Sequence, residues 1–266
     1  MIPCLQPKRR RSRRRFLQLG VEPLEERSLL ATIMVTSLID NLTAGGGVTL
    51  REAIQAANTN QSVDGSAAGE VAPAVDTIVF QPGLTGSVNL LLGQLVITET
   101  VIIQGLGAGS TTINAQHNSR VFDITSDATA VTFDGLTLTG GTTPIGENGG
   151  AMRAASGQLT VRNSTISGNT ASSGTRGGGI WSGGTVTVTN STVSGNSILV
   201  LSGRGGGVFA SDVIVVNSTR FPATRQEDPR PLAGDFPAWR RPQLLTVPSP
   251  ATHRPTAAAC TPILAL

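Results

Sequence analysis

Three near-copies of one phrase recur at a fixed interval, and this repeat constrains the fold more than any other feature of the chain. The phrase begins Asn-Ser-Thr, and its asparagines are Asn163, Asn190 and Asn217, at a constant offset of 27. A fixed period between about 20 and 50 residues is typical of stacked supersecondary units. A glycine cluster and a short run of alternating apolar residues precede each copy, so each unit is predicted to consist of strands and turns.

Superposition of the copies predicts which side chains face the core. At this period Val161, Val188 and Val215 form one inward file, and Ile166 and Val193 form another. Asparagine tolerates left-handed backbone and hydrogen-bonds within its own turn, so the asparagines of the phrase suit a corner that bends identically in every unit. The pattern predicts an all-β parallel solenoid.

Imperfect copies extend the pattern toward the N-terminus. Residues 133–141 match residues 161–169 at an offset of 28, and residues 101–105 suggest a further turn of the solenoid. Between Asp76 and Thr219 we expect about five coils, which exceeds the minimum of about three that such arrays need to bury a core.

Charge is distributed unevenly along the chain. Residues 1–30 contain eight basic and three acidic side chains, residues 31–219 contain six and eleven, and residues 220–266 contain six and three. The predicted solenoid is therefore mildly acidic, which argues against a nucleic-acid partner. No stretch approaches the 18 or so apolar residues of a transmembrane helix. Cys4 and Cys260 lie outside the repeats and have neither disulfide-framework nor metal-binding spacing.

Two segments precede the repeats, a basic leader at residues 1–31 and a predicted N-terminal cap at residues 32–75. In the cap, Thr49 and Glu52 have the spacing of a capping box, which opens a short helix that ends near Asn58. Such a lid covers the edge strands of the first coil, which would otherwise pair with other chains. The leader lacks an apolar core of the length that a secretory signal needs, and its composition leaves open a disordered leader or an export signal.

Two stretches resemble a known family. Residues 48–58, Val-Thr-Leu-Arg-Glu-Ala-Ile-Gln-Ala-Ala-Asn, are similar to the CSLREA motif, although Val48 stands where the motif has Cys. Residues 24–31, which follow the arginine run, resemble the LEPR leader signature, with Glu26 in place of its usual Pro. Further phrases occur in the order seen in the CSLREA family, at residues 76–80, 103–108 and 119–122.

This resemblance covers residues 24–219 and implies both a fold and a location. It implies a right-handed parallel β-helix related to the repeats of polymorphic outer-membrane proteins. It also implies export, so we expect an extracellular, outer-membrane or cell-surface location in a bacterium. The expected partners are extracellular matrix, polysaccharide or a neighbouring cell surface. No sorting or anchor segment of the family is recognisable near the C-terminus.

The repeat stops abruptly between Thr219 and Arg220. Nine of the 15 prolines and only one of the 32 glycines lie in residues 222–266. Codons for residues 220–224 can be chosen so that a reading frame two bases later encodes Ile-Ser-Gly-Asn, the expected continuation of the repeat. We therefore expect residues 220–266 to be an out-of-frame tail on a truncated gene product, with a Pro-rich disordered extension as the alternative. An incomplete last coil predicts self-association through its open edge.

The repeats contain no recognisable catalytic constellation. The charged candidates are Asp123, Asp127, Asp134, Glu147, Asp212, Arg120, Arg153, Arg162, Arg176 and Arg204. No pair of carboxylates recurs at the period of the repeat, as a stacked acidic ladder would, and we expect neither a metal ion nor a cofactor. The predicted function is a non-enzymatic surface module, adhesin-like or structural. A degenerate or incomplete polysaccharide lyase or hydrolase of the pectin-lyase-like fold, or an intracellular scaffold, is the alternative.

Overall fold

The computed structural model describes residues 31–125, 127–172, 176–199 and 203–216. Its elements in chain order are β1 (Thr32–Val35), α1 (Leu50–Thr59), β2 (Asp76–Phe80), β3 (Gly86–Asn89), β4 (Leu95–Ile97), β5 (Val101–Gln104), β6 (Thr111–Asn114), β7 (Phe122–Ile124), β8 (Ala130–Asp134), β9 (Thr137–Thr139), β10 (Met152–Ala154), β11 (Gln158–Arg162), β12 (Thr165–Ser167), β13 (Thr170–Ala171), β14 (Ile180–Ser182), β15 (Thr185–Thr189), β16 (Thr192–Ser194), β17 (Ser197–Ile198), β18 (Val208–Phe209) and β19 (Asp212–Val216). Within these ranges α1 is the one helix, and every other element is a strand.

The strands form three main sheets that run along the length of the molecule. The long sheet has the order β1-β2-β5-β8-β11-β15-β19, the second sheet has β3-β6-β9-β12-β16, and the third sheet has β4-β7-β10-β14-β18. Strands β13 and β17 form a short additional ladder. Neighbouring strands within each main sheet are parallel.

One passage from the long sheet through the second to the third completes a coil. Strands β2, β3 and β4 form the first such triplet, and β15, β16 and β18 form the fifth within the described chain. The predicted right-handed parallel β-helix of about five coils with a short N-terminal helix is therefore confirmed.

The strand register explains why the repeat is clear only in the later coils. Val161 pairs with Val188 at an offset of 27. Ile103, in contrast, pairs with Ile78 at an offset of 25 and with Phe133 at an offset of 30. The early coils thus differ in the length of their corners, while their strands keep the same register.

The interior is a stack of inward-facing apolar side chains. In the long sheet the inward file consists of Ile33, Ile78, Ile103, Phe133, Val161 and Val188, all fully buried. Because parallel strands in register place equivalent residues on the same face, each coil adds one layer to this file. Complete burial of a valine, isoleucine or phenylalanine side chain stabilises the fold by roughly 1.5–3 kcal/mol.

Helix α1 begins with the predicted capping box. The Glu52 amide donates to the Thr49 hydroxyl oxygen at 3.2 Å, and the Thr49 amide donates to Glu52 Oε2 at 2.9 Å. The helix ends at Thr59, and its C-cap residue, Asn60, closes the last turn with a left-handed φ of 54°. It is therefore slightly longer than the sequence predicted.

The segment 32–75 does more than supply a helix, because its β1 is also the first strand of the long sheet. Helix side chains meanwhile occupy the free edge of β4. The side-chain amide of Asn58 donates through Nδ2 to Val96 O at 2.8 Å, and its Oδ1 accepts from Thr98 N at 2.9 Å. These are the two bonds that a neighbouring strand would make. Arg51 donates to Gly93 O at 2.7 Å. The edge of the first coil in the third sheet is thereby covered.

Candidate functional site

Two asparagines of the repeated phrase, Asn163 and Asn190, lie at the bends that follow β11 and β15 of the long sheet. Asn163 and Asn190 have left-handed φ values of 50° and 47°, and both side chains are exposed. Asn163 Nδ2 donates to Asp134 Oδ1 at 2.8 Å. Asn217, the third member of the file, lies outside the described residues.

The inward files follow the same register. Val161 and Val188 are buried, and Val215 pairs with Val188 along the backbone. In the second sheet Ile166 pairs with Val193, and both are fully buried. The four buried positions, Val161, Val188, Ile166 and Val193, therefore belong to the core of the solenoid.

A second asparagine file, which the sequence analysis did not single out as a site, lies inside the coil. Asn169 and Asn196 are both fully buried. The Asn196 Oδ1 accepts from the Asn169 backbone N–H at 3.1 Å and from its Nδ2 at 2.9 Å, and Asn196 Nδ2 donates to Ile166 O at 2.9 Å. These two asparagines also have an offset of 27. The repeat period could have identified them, but only their burial separates them from the exposed asparagines of the phrase.

Two of the candidate carboxylates form ion pairs with arginines of the next coil. Arg153 Nε and Nη2 donate to the two oxygens of Asp123 at 2.7 and 2.8 Å, and this bonding raises the pKa of Arg153. Arg162 Nε donates to Asp134 Oδ2 at 2.9 Å in a more exposed position. Each pair joins adjacent coils, so these charges contribute to the stacking of the solenoid.

Arg120 is a buried hub at the corner that precedes β7. Its side chain is 1% exposed. It donates to Gly149 O at 2.9 Å, to Gln94 Oε1 at 2.9 Å, to Asn148 O at 2.9 Å and to Glu147 Oε2 at 2.7 Å. A buried guanidinium is stable only where its donors are satisfied in this way. The sequence identified Arg120 and Glu147 as charged candidates but gave no sign that they meet.

In the cap, Asp40 is the buried partner of Arg51. Burial by itself raises the pKa of Asp40, but hydrogen bonds from Arg51 and from the amides of Leu92 and Leu91 outweigh it and lower that pKa. The Arg51 Nε–Asp40 Oδ1 distance is 2.7 Å, and the Leu91 and Leu92 amides donate to Oδ2 at 2.7 and 2.9 Å. The carboxylate thus joins the cap to the loop between β3 and β4.

One open cleft of about 530 Å³ lies beside the cap, between residues 72–75 and the corners that follow β4 and β7. Residues 72–75 supply an apolar wall, while Glu99 and Asp127 supply carboxylates. Thr100 and Thr129 also line it, and their hydroxyl oxygens are 2.9 Å apart. The size of the cleft is within the range of small-molecule sites.

The outer face of the third sheet carries a file of unlike side chains in register. The file runs Val96, Asp123, Arg153, Trp181 and Phe209 from β4 to β18. Trp181 and Phe209 are only half-buried, in contrast to the core aromatics. Sequence reasoning missed this file because its members follow one another at unequal offsets and share no residue type.

Other candidates lie apart from this file or flank it. Asp212 is an exposed residue at the start of β19 in the long sheet. Arg176 and Arg204 form a parallel bridge at the corner before β14 and β18. His117 is exposed, with Nδ1 at 3.4 Å from Thr142 Oγ1.

The described ranges are residues 31–125, 127–172, 176–199 and 203–216. There, no three His, Cys, Asp or Glu side chains are grouped so that they could hold a metal ion. No helix in the same ranges has the length and apolar character needed to cross a membrane.

Comparison of the chain with protein-family models, with curated proteins and with solved structures finds no match. The arrangement of its own residues therefore carries the functional argument. Within the described strands of the third sheet, the two charged residues, Asp123 and Arg153, form an ion pair with each other.

Proposed function

We propose that the chain is a non-enzymatic β-helix module, surface-exposed or secreted by a bacterium, with an adhesive or structural role. The observation that carries the proposal is that carboxylates of the repeats form ion pairs with arginines of the next coil. Asp123 pairs with Arg153, and Asp134 pairs with Arg162, so these carboxylates are occupied as structural acceptors. A general acid or base needs a free group within reach of a substrate.

The exposed asparagine bends and the CSLREA-like and LEPR-like stretches add support for an exported repeat module. A stacked solenoid presents the same kind of surface in every coil, which suits an extended contact with a polymer or a cell surface. The partners in this proposal are extracellular matrix, polysaccharide or a neighbouring cell.

The location is tested with the tagged full-length chain in a bacterium that carries the gene. Intact cells are treated with proteinase K, and the cells and culture supernatant are fractionated. We expect the tag to be digested without lysis or to be recovered in the supernatant. Quantitative recovery in the cytoplasmic fraction, protected from protease, would contradict the proposal.

A second candidate is a degenerate or incomplete polysaccharide lyase or hydrolase, and the cleft beside the cap favours it. Glu99 and Asp127 both line that cleft, and paired carboxylates are the usual acid and base of glycoside hydrolysis. The test is incubation of the purified chain with acidic polysaccharides, with and without calcium. Cleavage that disappears in Glu99→Gln or Asp127→Asn would establish this candidate and refute the non-enzymatic proposal.

A further inference from the structure

The third sheet presents the aromatic side chains that the core does not use. Among the described residues the aromatics are Phe80, Phe122, Phe133, Trp181 and Phe209. The three first-named are fully buried or nearly so, and the rings of Phe122 and Phe133 pack at 4.6 Å between centroids. Trp181 and Phe209 instead lie next to each other in register on the outer face of the sheet. These two half-buried rings form an apolar platform on that face.

Arginines surround this platform. The guanidinium carbon of Arg176 lies 4.9 Å from the centroid of the Phe209 ring, within the range of a cation–π contact. The backbone of Arg204 forms a parallel β-bridge with the backbone of Arg176 on the neighbouring coil, and both arginines are exposed. Arg153 is the register neighbour of Trp181 and is half-exposed. We call these five residues, Arg153, Arg176, Trp181, Arg204 and Phe209, the Arg–aromatic patch.

The patch differs in charge from the rest of the solenoid. Residues 31–219 carry six basic and eleven acidic side chains, yet three of the six arginines belong to the patch. A fourth, Arg120, lies at the corner before β7. Two carboxylates lie beside these arginines, and both form ion pairs: Asp123 with Arg153, and Glu147 with Arg120. Arg176 has no carboxylate within salt-bridge distance in the described part of the chain.

The indole N–H of Trp181 supplies a further observation. Its Nε1 is buried and has no hydrogen-bond partner among the described residues. A buried tryptophan usually finds a partner for this donor, and an unmade bond costs free energy.

We propose that the Arg–aromatic patch binds an acidic polysaccharide, one whose sugars carry carboxylates. The apolar C–H face of a sugar ring would lie on Trp181, beside Phe209 and the Arg176 guanidinium that covers it. Its carboxylate would accept paired hydrogen bonds from Arg176 or Arg204, because the planar guanidinium matches carboxylate geometry. This inference rests on the proposed surface module and names its ligand class.

The charge balance favours a glycan over nucleic acid. Double-stranded DNA carries one negative charge per about 1.7 Å, so an acidic solenoid repels DNA more strongly than a glycan with one charge per sugar. The patch offers a small number of cations beside an apolar platform. That combination fits a chain of rings with one charge per sugar.

The test measures binding of the purified full chain to immobilised polygalacturonate, to dextran as the neutral counterpart, and to double-stranded DNA of random sequence. The variants are Arg176→Gln and Arg204→Gln. The matched control is Arg162→Gln, which removes an exposed arginine from the long sheet. Circular dichroism verifies that each variant keeps its strand content.

We expect polygalacturonate to bind in preference to dextran and DNA, with affinity that falls as salt is added. Each patch variant should weaken this binding about fivefold, and Arg162→Gln should change it by less than about twofold. The proposal is overturned if polygalacturonate does not bind, if dextran or DNA binds as tightly, or if Arg162→Gln weakens binding as much as the patch variants. If the purified chain binds polygalacturonate through the patch but cell fractionation places the protein in the cytoplasm, the proposed surface location is refuted and the proposed binding patch is not.

Discussion

Replacement of Asn196 with alanine tests whether the buried asparagine ladder holds neighbouring coils together. The substitution removes three hydrogen bonds: two that Asn196 Oδ1 accepts from Asn169, and one that Asn196 Nδ2 donates to Ile166 O. Each such bond contributes about 1 kcal/mol net, and the partners left behind are buried. We therefore expect the free energy of unfolding to fall by about 3 kcal/mol.

The matched control is Asn190, an asparagine of the same coil whose side chain is exposed. Asn190→Ala should cost about 1 kcal/mol, because alanine is strained at the left-handed φ of 47°. Asn190→Gly should recover most of that loss, since glycine adopts positive φ without strain. The difference between Asn196→Ala and Asn190→Ala isolates the ladder from the bend.

The assay is urea unfolding of the full chain, followed by far-ultraviolet circular dichroism. With an m-value of about 1–3 kcal/mol per molar urea, a loss of about 3 kcal/mol lowers the midpoint by about 1 M or more. A midpoint for Asn196→Ala equal to or higher than that for Asn190→Ala would refute the assignment of the ladder as the stronger contact.

Two further predictions follow from buried charges. Arg120→Met should lower the free energy of unfolding by about 3 kcal/mol, because it leaves the buried acceptors around Arg120 without their donor. Arg162→Met removes an arginine from a more exposed ion pair and should lower it by less than about 1 kcal/mol. Equal unfolding midpoints of the two variants in urea would contradict this. Asp40 has a lowered pKa in the folded chain, so its stabilising contribution is complete above the pKa of the unfolded chain and is lost as the pH falls through the folded value. Asp40→Asn should thus be less stable than the wild type by about 2 kcal/mol at pH 7, and the gap should shrink below about pH 4; a gap that is constant with pH would count against the carboxylate.

The sequence predicted the fold because the strand register and the sequence period coincide in the later coils. Val161 and Val188 are register partners in the long sheet, and their offset of 27 is also the period of the Asn-Ser-Thr phrase. The earlier coils could not be delimited as well, since insertions at corners change the offset while leaving the strand pattern intact. Ile103 and Phe133, which pair at an offset of 30, show this variation.

The candidate site was less predictable, because it depends on contacts between coils of unequal length. Arg120 and Glu147 have an offset of 27, but a charged pair at that spacing is not distinguishable in sequence from two solvated corners. Trp181 and Phe209 have an offset of 28 and differ in type, so no repeated letter marks their adjacency. Only the register of the third sheet places these side chains together.

The side-chain amide of Asn58 stands in for a missing strand at Val96 and Thr98, and this has a consequence for how such a molecule changes in evolution. The contacts of helix α1 are specific to the first coil, so they fix where the stack of coils begins. Gain or loss of a whole coil farther along the solenoid leaves the contacts of the cap unchanged. The length of the solenoid can therefore vary by tandem duplication of coils, without any change in the cap.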